Sequence, residues 1–205
     1  MADHQNPAVT RNVANNKIEI DFAGNVNASI FLRNLPYNKI YTELLKERQY
    51  NVLLLDGALL QLQYTVENQA IIKHRLAFFP SPFLNEFQND PDLYEEELLF
   101  VDITQRNVVV TPVRLDYDST ISFDGDDDRF FHPESHMSIG QYKNCRIPAT
   151  SAISPSRFFE FILCSFYNSA FREIRSKLPA HSILHPKVIV AEHEQAIHMG
   201  VRCRV

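Results

Sequence analysis

Between Thr111 and Tyr167 the hydrophobic period of the chain changes from that of a strand to that of a helix, which limits the folds open to it. In VRLDYD, Val113, Leu115 and Tyr117 alternate with Arg114, Asp116 and Asp118. After an acidic loop, His132, Glu134, His136 and Ser138 share one parity, and Met137 and Ile139 take the other. A third short run, CRIP, sets Arg146 opposite Cys145 and Ile147. Ser154-Pro155 then opens a Phe-rich helix, with serine at the cap and proline in the first turn. Joined as a meander, the three runs would gather acids, imidazoles and arginines on one face. The opposite apolar face is then free to receive the helix.

The flanking sequence agrees with this plan. Residues 1 to 16 are polar and Asn-rich and are expected as a flexible arm, with residues 17–205 forming one α+β domain. KIEIDF alternates as a strand, and Pro36 opens YNKIYTELLKERQY, where Ile40 and Leu44 recur at helical spacing. NVLLLDGALLQLQYTV and AIIKHRLAFF, joined through ENQ, read as a hairpin with a bend at Asp56-Gly57. NEFQNDPDLYEEELLF reads as a loop and short helix, and ITQRNVVVTPV as a further strand. The Phe-rich helix is expected to run from Pro155 to about Lys177, buried on more than one side, with Cys164 as a small core residue. KVIVA and AIHMGVRCRV read as closing strands. The expected architecture is a single domain: a curved, mostly antiparallel sheet packed on one long helix.

Composition narrows the functional classes. With 20 Lys and Arg against 25 Asp and Glu, the net charge of −5 argues against a generic nucleic-acid binder. The charge is polarised, however. Arg172, Arg175, Lys177, Lys187, Arg202 and Arg204 crowd the C-terminal region, where they form a candidate phosphate-facing patch or simply a wet basic surface. Three cysteines without a CxxC pair disfavour both a disulfide framework and a four-cysteine zinc site. The N-terminus lacks an apolar signal core, and the longest apolar run is broken by Asp56. The expectation is a cytoplasmic protein without membrane contact.

The sharpest constellation is His132-Pro-Glu-Ser-His136. With Asp116 and Asp118 as carboxylates and Arg146 as an anion donor, it is a kit for metal-assisted phosphodiester hydrolysis, or for metal-free RNA cleavage with histidines as acid and base. The solvated face of an antiparallel sheet collects the same residues, and Asp116 paired with Arg114 or Arg146 would then only orient the strands. A metal is not required by any motif: the HExxH template fails, and magnesium enters only if the chain is a nuclease. Asp124, Asp126 and Asp128 invite a calcium loop, but Arg129 and Ser135 stand where an EF-hand needs Gly and Glu, leaving a mobile acidic hairpin as the expectation. Cys145, with inward parity, is expected as a packed core thiol. His181, His185, His193 and His198 are too unevenly spaced for a metal site. Neither GxxxxGK[ST], GxGxxG nor GxSxG occurs.

From about Tyr50 to about Tyr167 the blocks DGALLQLQYTVENQAIIKHRLAFFPSP, VRLDYD, HPESHMSIG, NCRIP and ISPSRFFEFILCSFY occur in an order and spacing that resemble a bacterial family, domain of unknown function number two thousand two hundred and ninety. The resemblance carries no activity. It implies a bacterial or mobile-element origin and an expected part in defence against phage or foreign DNA. Three functions follow as expectations. One is an accessory or interaction subunit of a defence or toxin–antitoxin-like system, with a protein partner encoded nearby. The second is a nuclease using His132, His136, Asp116, Asp118 and Arg146. The third is a nucleic-acid binding module working through the basic tail.

Overall fold

Nine strands form one open antiparallel sheet in the computed structural model, which describes residues 3–22, 35–83, 110–179 and 184–203. The strands are β1 (Asp3–His4), β2 (Ala8–Asn12), β3 (Lys17–Asp21), β4 (Val52–Leu53), β5 (Leu59–Glu67), β6 (Ala70–Phe79), β7 (Val113–Asp118), β8 (Ser135–Ile139) and β9 (Ile147–Pro148). Five α-helices accompany them among the described residues: α1 (Tyr37–Lys46), α2 (Asp126–Phe131), α3 (Pro155–Phe166), α4 (Asn168–Ile174) and α5 (Ala191–Gln195). The expected hairpin is the spine of the sheet. Asn68 and Gln69, both with positive φ, turn β5 into β6, and β7, β8 and β9 follow in order. Along its other edge β5 pairs first with β4 and then with β3.

Register assigns each face. Tyr64, His74 and Tyr117 are opposed across β5, β6 and β7, followed by Leu62, Leu76 and Leu115. Tyr64, Leu62, Leu76 and Leu115 meet Phe158 and Ile162 of α3, Ala170 of α4 and Tyr167 between the two helices in the main core. On the opposite face, Leu59, Ala77 and Phe79 are covered by Ile40, Tyr41 and Leu44 of α1, so that helix closes one end only. The other end of this face is polar and lines a groove.

Helix α3 is anchored at its start. The Ser154 hydroxyl accepts the Arg157 N–H, and Pro155 occupies the first turn. Just ahead of this cap, both backbone groups of Ile153 are held by sheet side chains. His74 Nε2 accepts the Ile153 N–H at 3.0 Å, and the Tyr64 hydroxyl donates to its carbonyl at 3.0 Å. His74 Nδ1 therefore carries the proton that reaches the Leu115 carbonyl at 3.2 Å.

The structure corrects several expectations. Residues 3–4 and 8–12 of the expected arm are strands, because Asp3 accepts from Arg48 and Tyr50 and β2 pairs along its whole length with β3. The long helix breaks at Tyr167, whose φ of −133° leaves the helical region, and Asn and Ser, poor interior helix formers, begin α4. A 3₁₀ turn at Arg175–Lys177 finishes that segment. The break brings the Tyr167 hydroxyl to 2.7 Å from Asp56 Oδ2 in the core. Only Phe158 and Ile162 of α3 are fully buried, and Cys164 is exposed rather than internal. KVIVA and AIHMGVRCRV are reduced to bridges, Ser151 with Lys187 and Ala149 with Met199, and α5 forms between them. Thr150 replaces ladder bonds there, its hydroxyl contacting the Val201 carbonyl at 2.7 Å and amide at 2.6 Å. The acidic hairpin contains α2, which stacks Arg129 over Phe123 and pairs it with Glu134. Expectations on residues 85–109, His181 and Arg204 lie outside the described residues.

Asp56 is 4% exposed, and burial raises its carboxyl pKa, opposed by the Tyr167 hydroxyl and the Ala58 N–H. Tyr167→Phe leaves Oδ2 without that donor and is expected to cost about 1–3 kcal/mol at neutral pH. Denaturant unfolding of the two proteins measures it, and an unchanged midpoint would rule out Asp56–Tyr167 as a support for the helix break.

Candidate functional site

The open end of the polar face is a groove of about 780 Å³. All five candidate catalytic residues, Asp116, Asp118, His132, His136 and Arg146, line it. Strand β7 supplies the aspartates by alternation, and His136 lies opposite Asp116 in the β7–β8 register. His132 arrives differently, at the C-cap of α2, and Pro133 turns the chain into β8. Its ring stands 6.1 Å from that of His136, edge to face. Arg146 comes from the loop before β9.

The carboxylates are already matched to cations. Asp116 Oδ1 lies 3.2 Å from Arg75 Nε, with Arg114 and His136 Nε2 each 4.0 Å from Oδ2. Asp118 Oδ2 lies 2.7 Å from Lys73, and its Oδ1 accepts from Thr120 N–H and Oγ1–H at 3.0 and 2.6 Å. The Asp118 carboxyl is held below its ordinary value: desolvation is the largest influence and opposes this, but the Lys73 and Thr120 hydrogen bonds together outweigh it. Glu134 pairs with Arg129 at 3.3 Å, yet burial keeps its carboxyl above the ordinary range. Among the described residues, no three His, Cys, Asp or Glu side chains converge as a metal-binding group.

The imidazoles are differently placed. His136 Nδ1 donates to the Pro133 carbonyl at 3.0 Å, which fixes the tautomer and leaves Nε2 as a bare lone pair on the groove side. Burial lowers its pKa, and Arg146 and His132 push the same way against Pro133 and Asp116. At neutral pH it is an uncharged base. Among the described residues Arg146 has no hydrogen bond or ion pair in the protein. The site end of the groove thus offers a guanidinium without a partner among the described residues beside two imidazoles.

Lys73 and Arg75 are among the groove residues that sequence reasoning left out, as is Tyr142. For Lys73 and Arg75 the signal was present, since both share a parity in AIIKHRLAFF opposite to His74 and Leu76. Cys145, expected in the core, also lines the groove: Asn144 takes a positive φ of 62° and β9 starts only at Ile147, so strand parity does not extend back to it. Of the basic tail, Arg172, Arg175, Lys177, Lys187 and Arg202 are exposed, and Lys187 lies 2.5 Å from Glu194.

The fold and groove define an α+β protein with an open antiparallel sheet whose polar end forms a histidine-containing cleft. The chain belongs to the family of uncharacterized conserved proteins DUF2290, whose model matches residues 1–201 and so takes in the N-terminal quarter as well. No curated protein and no solved structure matches the chain. Among the described residues, no helix is long and apolar enough to cross a membrane.

Proposed function

We propose that the groove holds a phosphodiester and that the protein cleaves RNA without a metal ion, His136 acting as base and His132 as acid. The observation that supports this most is the fixed tautomer of His136, which leaves Nε2 unprotonated in a groove whose carboxylates are already paired. In the step envisaged, His136 Nε2 takes the proton of a ribose 2′-hydroxyl and O2′ attacks phosphorus. The bond from phosphorus to O5′ breaks, and His132, as the general acid, delivers a proton to O5′. The products are a 2′,3′-cyclic phosphate and a 5′-hydroxyl, with Arg146 bound to the non-bridging oxygens.

The test incubates the protein with RNA, single-stranded DNA and duplex DNA in magnesium, in manganese and in chelator. RNA is expected to be cut in chelator, and DNA, which lacks the internal nucleophile, to survive. His136→Ala should slow cleavage at least about 100-fold with little change in melting temperature. The acid limb of the wild-type pH–rate profile should fall below pH 6.5, since the His136 pKa is lowered from that value. Strict dependence on magnesium would replace this mechanism with a metal-assisted one. A folded protein inactive on every substrate would remove the enzymatic reading.

A second reading rests on the sheet edge. Every residue of β2 is exposed, and among the described residues only β3 pairs with it, so a partner's strand can add there. On this reading the protein is a non-catalytic subunit of a bacterial defence or toxin–antitoxin-like system in the cytoplasm, acting on nucleic acid with a partner encoded nearby. Co-purification with that gene's product, lost on Val9→Lys, would support it.

A further inference from the structure

Resting on the reading of the groove as a phosphodiester site, we propose that its substrate is single-stranded and that one unpaired base stacks on Tyr142. Tyr142 lines the groove with Arg146, His132 and His136, and its ring is 77% exposed. A lone exposed aromatic is ordinary on protein surfaces. This one stands on a loop that is fastened on several sides. The Gly140 N–H reaches the Pro112 carbonyl at 2.7 Å, the Gln141 side chain reaches the Leu35 carbonyl at 2.9 Å, and the Cys145 N–H closes a turn on the Tyr142 carbonyl at 3.3 Å.

Two left-handed residues shape that loop, Gly140 with φ 63° and Asn144 with φ 62°. A Cβ at Gly140 would make an ordinary van der Waals contact with Tyr142 Cδ2 at 3.4 Å, which places the ring beside this turn while most of Tyr142 stays exposed. The result is an exposed aromatic ring on a fastened loop, in the same wall as a guanidinium that has no partner among the described residues. Single-stranded nucleic acid is recognised by this pairing of a stacking face with a nearby cation for the phosphate. A duplex presents bases that are already stacked and offers no face to Tyr142.

The test separates stacking from cleavage. Fluorescein-labelled single-stranded RNA of about ten nucleotides is titrated by anisotropy in chelator against the non-cleaving His136→Ala protein, then against His136→Ala/Tyr142→Ala and His136→Ala/Tyr142→Phe. Loss of the ring is expected to weaken binding about ten-fold, and phenylalanine to keep it within about two-fold. Binding of the same sequence as a duplex should not respond to Tyr142. Single-strand affinity that ignores Tyr142→Ala, no binding by the folded His136→Ala protein, or equal sensitivity for the duplex would overturn the proposal. Binding that depends on Tyr142 in a protein whose wild type never cleaves would uphold the stacking site while removing the catalytic reading. Cleavage that persists with unchanged KM in Tyr142→Ala would do the reverse.

Discussion

Phe158→Ala is expected to lower the unfolding free energy by about 3–5 kcal/mol, a large share of the total for a domain of this kind. Phe158 is fully buried, and it enters the core at the first turn of α3, beside Leu60, Leu76, Leu115 and Ile153. Truncation removes the apolar transfer term and also leaves a cavity, because the strand side chains below it are fixed by the ladder on both sides. Phe161 on the same helix is only half-buried and serves as the control. Its truncation should cost clearly less, with the melting temperature falling by about 10 °C for Phe158→Ala and by a few degrees for Phe161→Ala. Equal losses would mean that α3 is held by its whole surface rather than by Phe158, and the anchoring described at Ile153 would lose its packing counterpart.

Alternation made the central sheet legible. Leu60, Leu62 and Tyr64 against Gln61, Gln63 and Thr65 gave the two faces of β5, and VRLDYD gave those of β7. Serine and proline marked the start of α3 because capping is a local interaction. The end of that helix was not legible, since the hydroxyl that Tyr167 gives to Asp56 links positions 111 residues apart. The C-terminal strands misled for a related reason. Ile197, Met199 and Val201 alternate, but Ile197 is 91% exposed and only Met199 bridges, through a loop whose bonds are completed by the Thr150 side chain. The period described the side chains; among the described residues no neighbouring strand makes a ladder with them.

The groove was legible to the extent that one strand pair carried it. Asp116 and His136 could be placed on a common face from parity, and the register sets them opposite each other. Which groups remain open for chemistry was not legible, because that depends on β6. Lys73 and Arg75 come from a strand distant in sequence and occupy the aspartates, and this shifts the weight of the site to the imidazoles and Arg146. The tautomer of His136 depends on one carbonyl, and Pro133 supplies it by turning the chain after α2. No pattern of residue types contains that information.

Acidification is expected to weaken the protein through His74, between pH 6.5 and about 4. The imidazole is 2% exposed, between the rings of Tyr64 and Tyr117, with Nε2 accepting from Ile153 and Nδ1 donating to Leu115. Burial lowers its pKa from 6.5 to about 4, against the pull of Asp116 and the Leu115 carbonyl. The unfolded chain therefore binds a proton in this window that the native state refuses. Stability is fully present above pH 6.5, falls as the pH drops towards 4, and is flat below it as far as His74 is concerned. A difference between 6.5 and about 4 corresponds to roughly 3 kcal/mol, of which about 2 kcal/mol is lost between pH 7 and 4.5. His136 and His185, also lowered by burial, add to the loss. Asp56, Asp21 and Glu134, raised by burial, offset part of it, because they take up protons in the native state first. His74→Gln isolates the histidine: an amide can still accept from Ile153 and donate to Leu115 but does not titrate. Urea unfolding at pH 7 and 4.5 should show the wild type losing about 2 kcal/mol more than His74→Gln. Equal losses would place the acid sensitivity elsewhere and leave His74 as a polar clamp whose protonation is irrelevant. The expected result instead ties the docking of α3 to a single proton, since imidazolium at position 74 has no lone pair for the Ile153 N–H and the helix start is released with it.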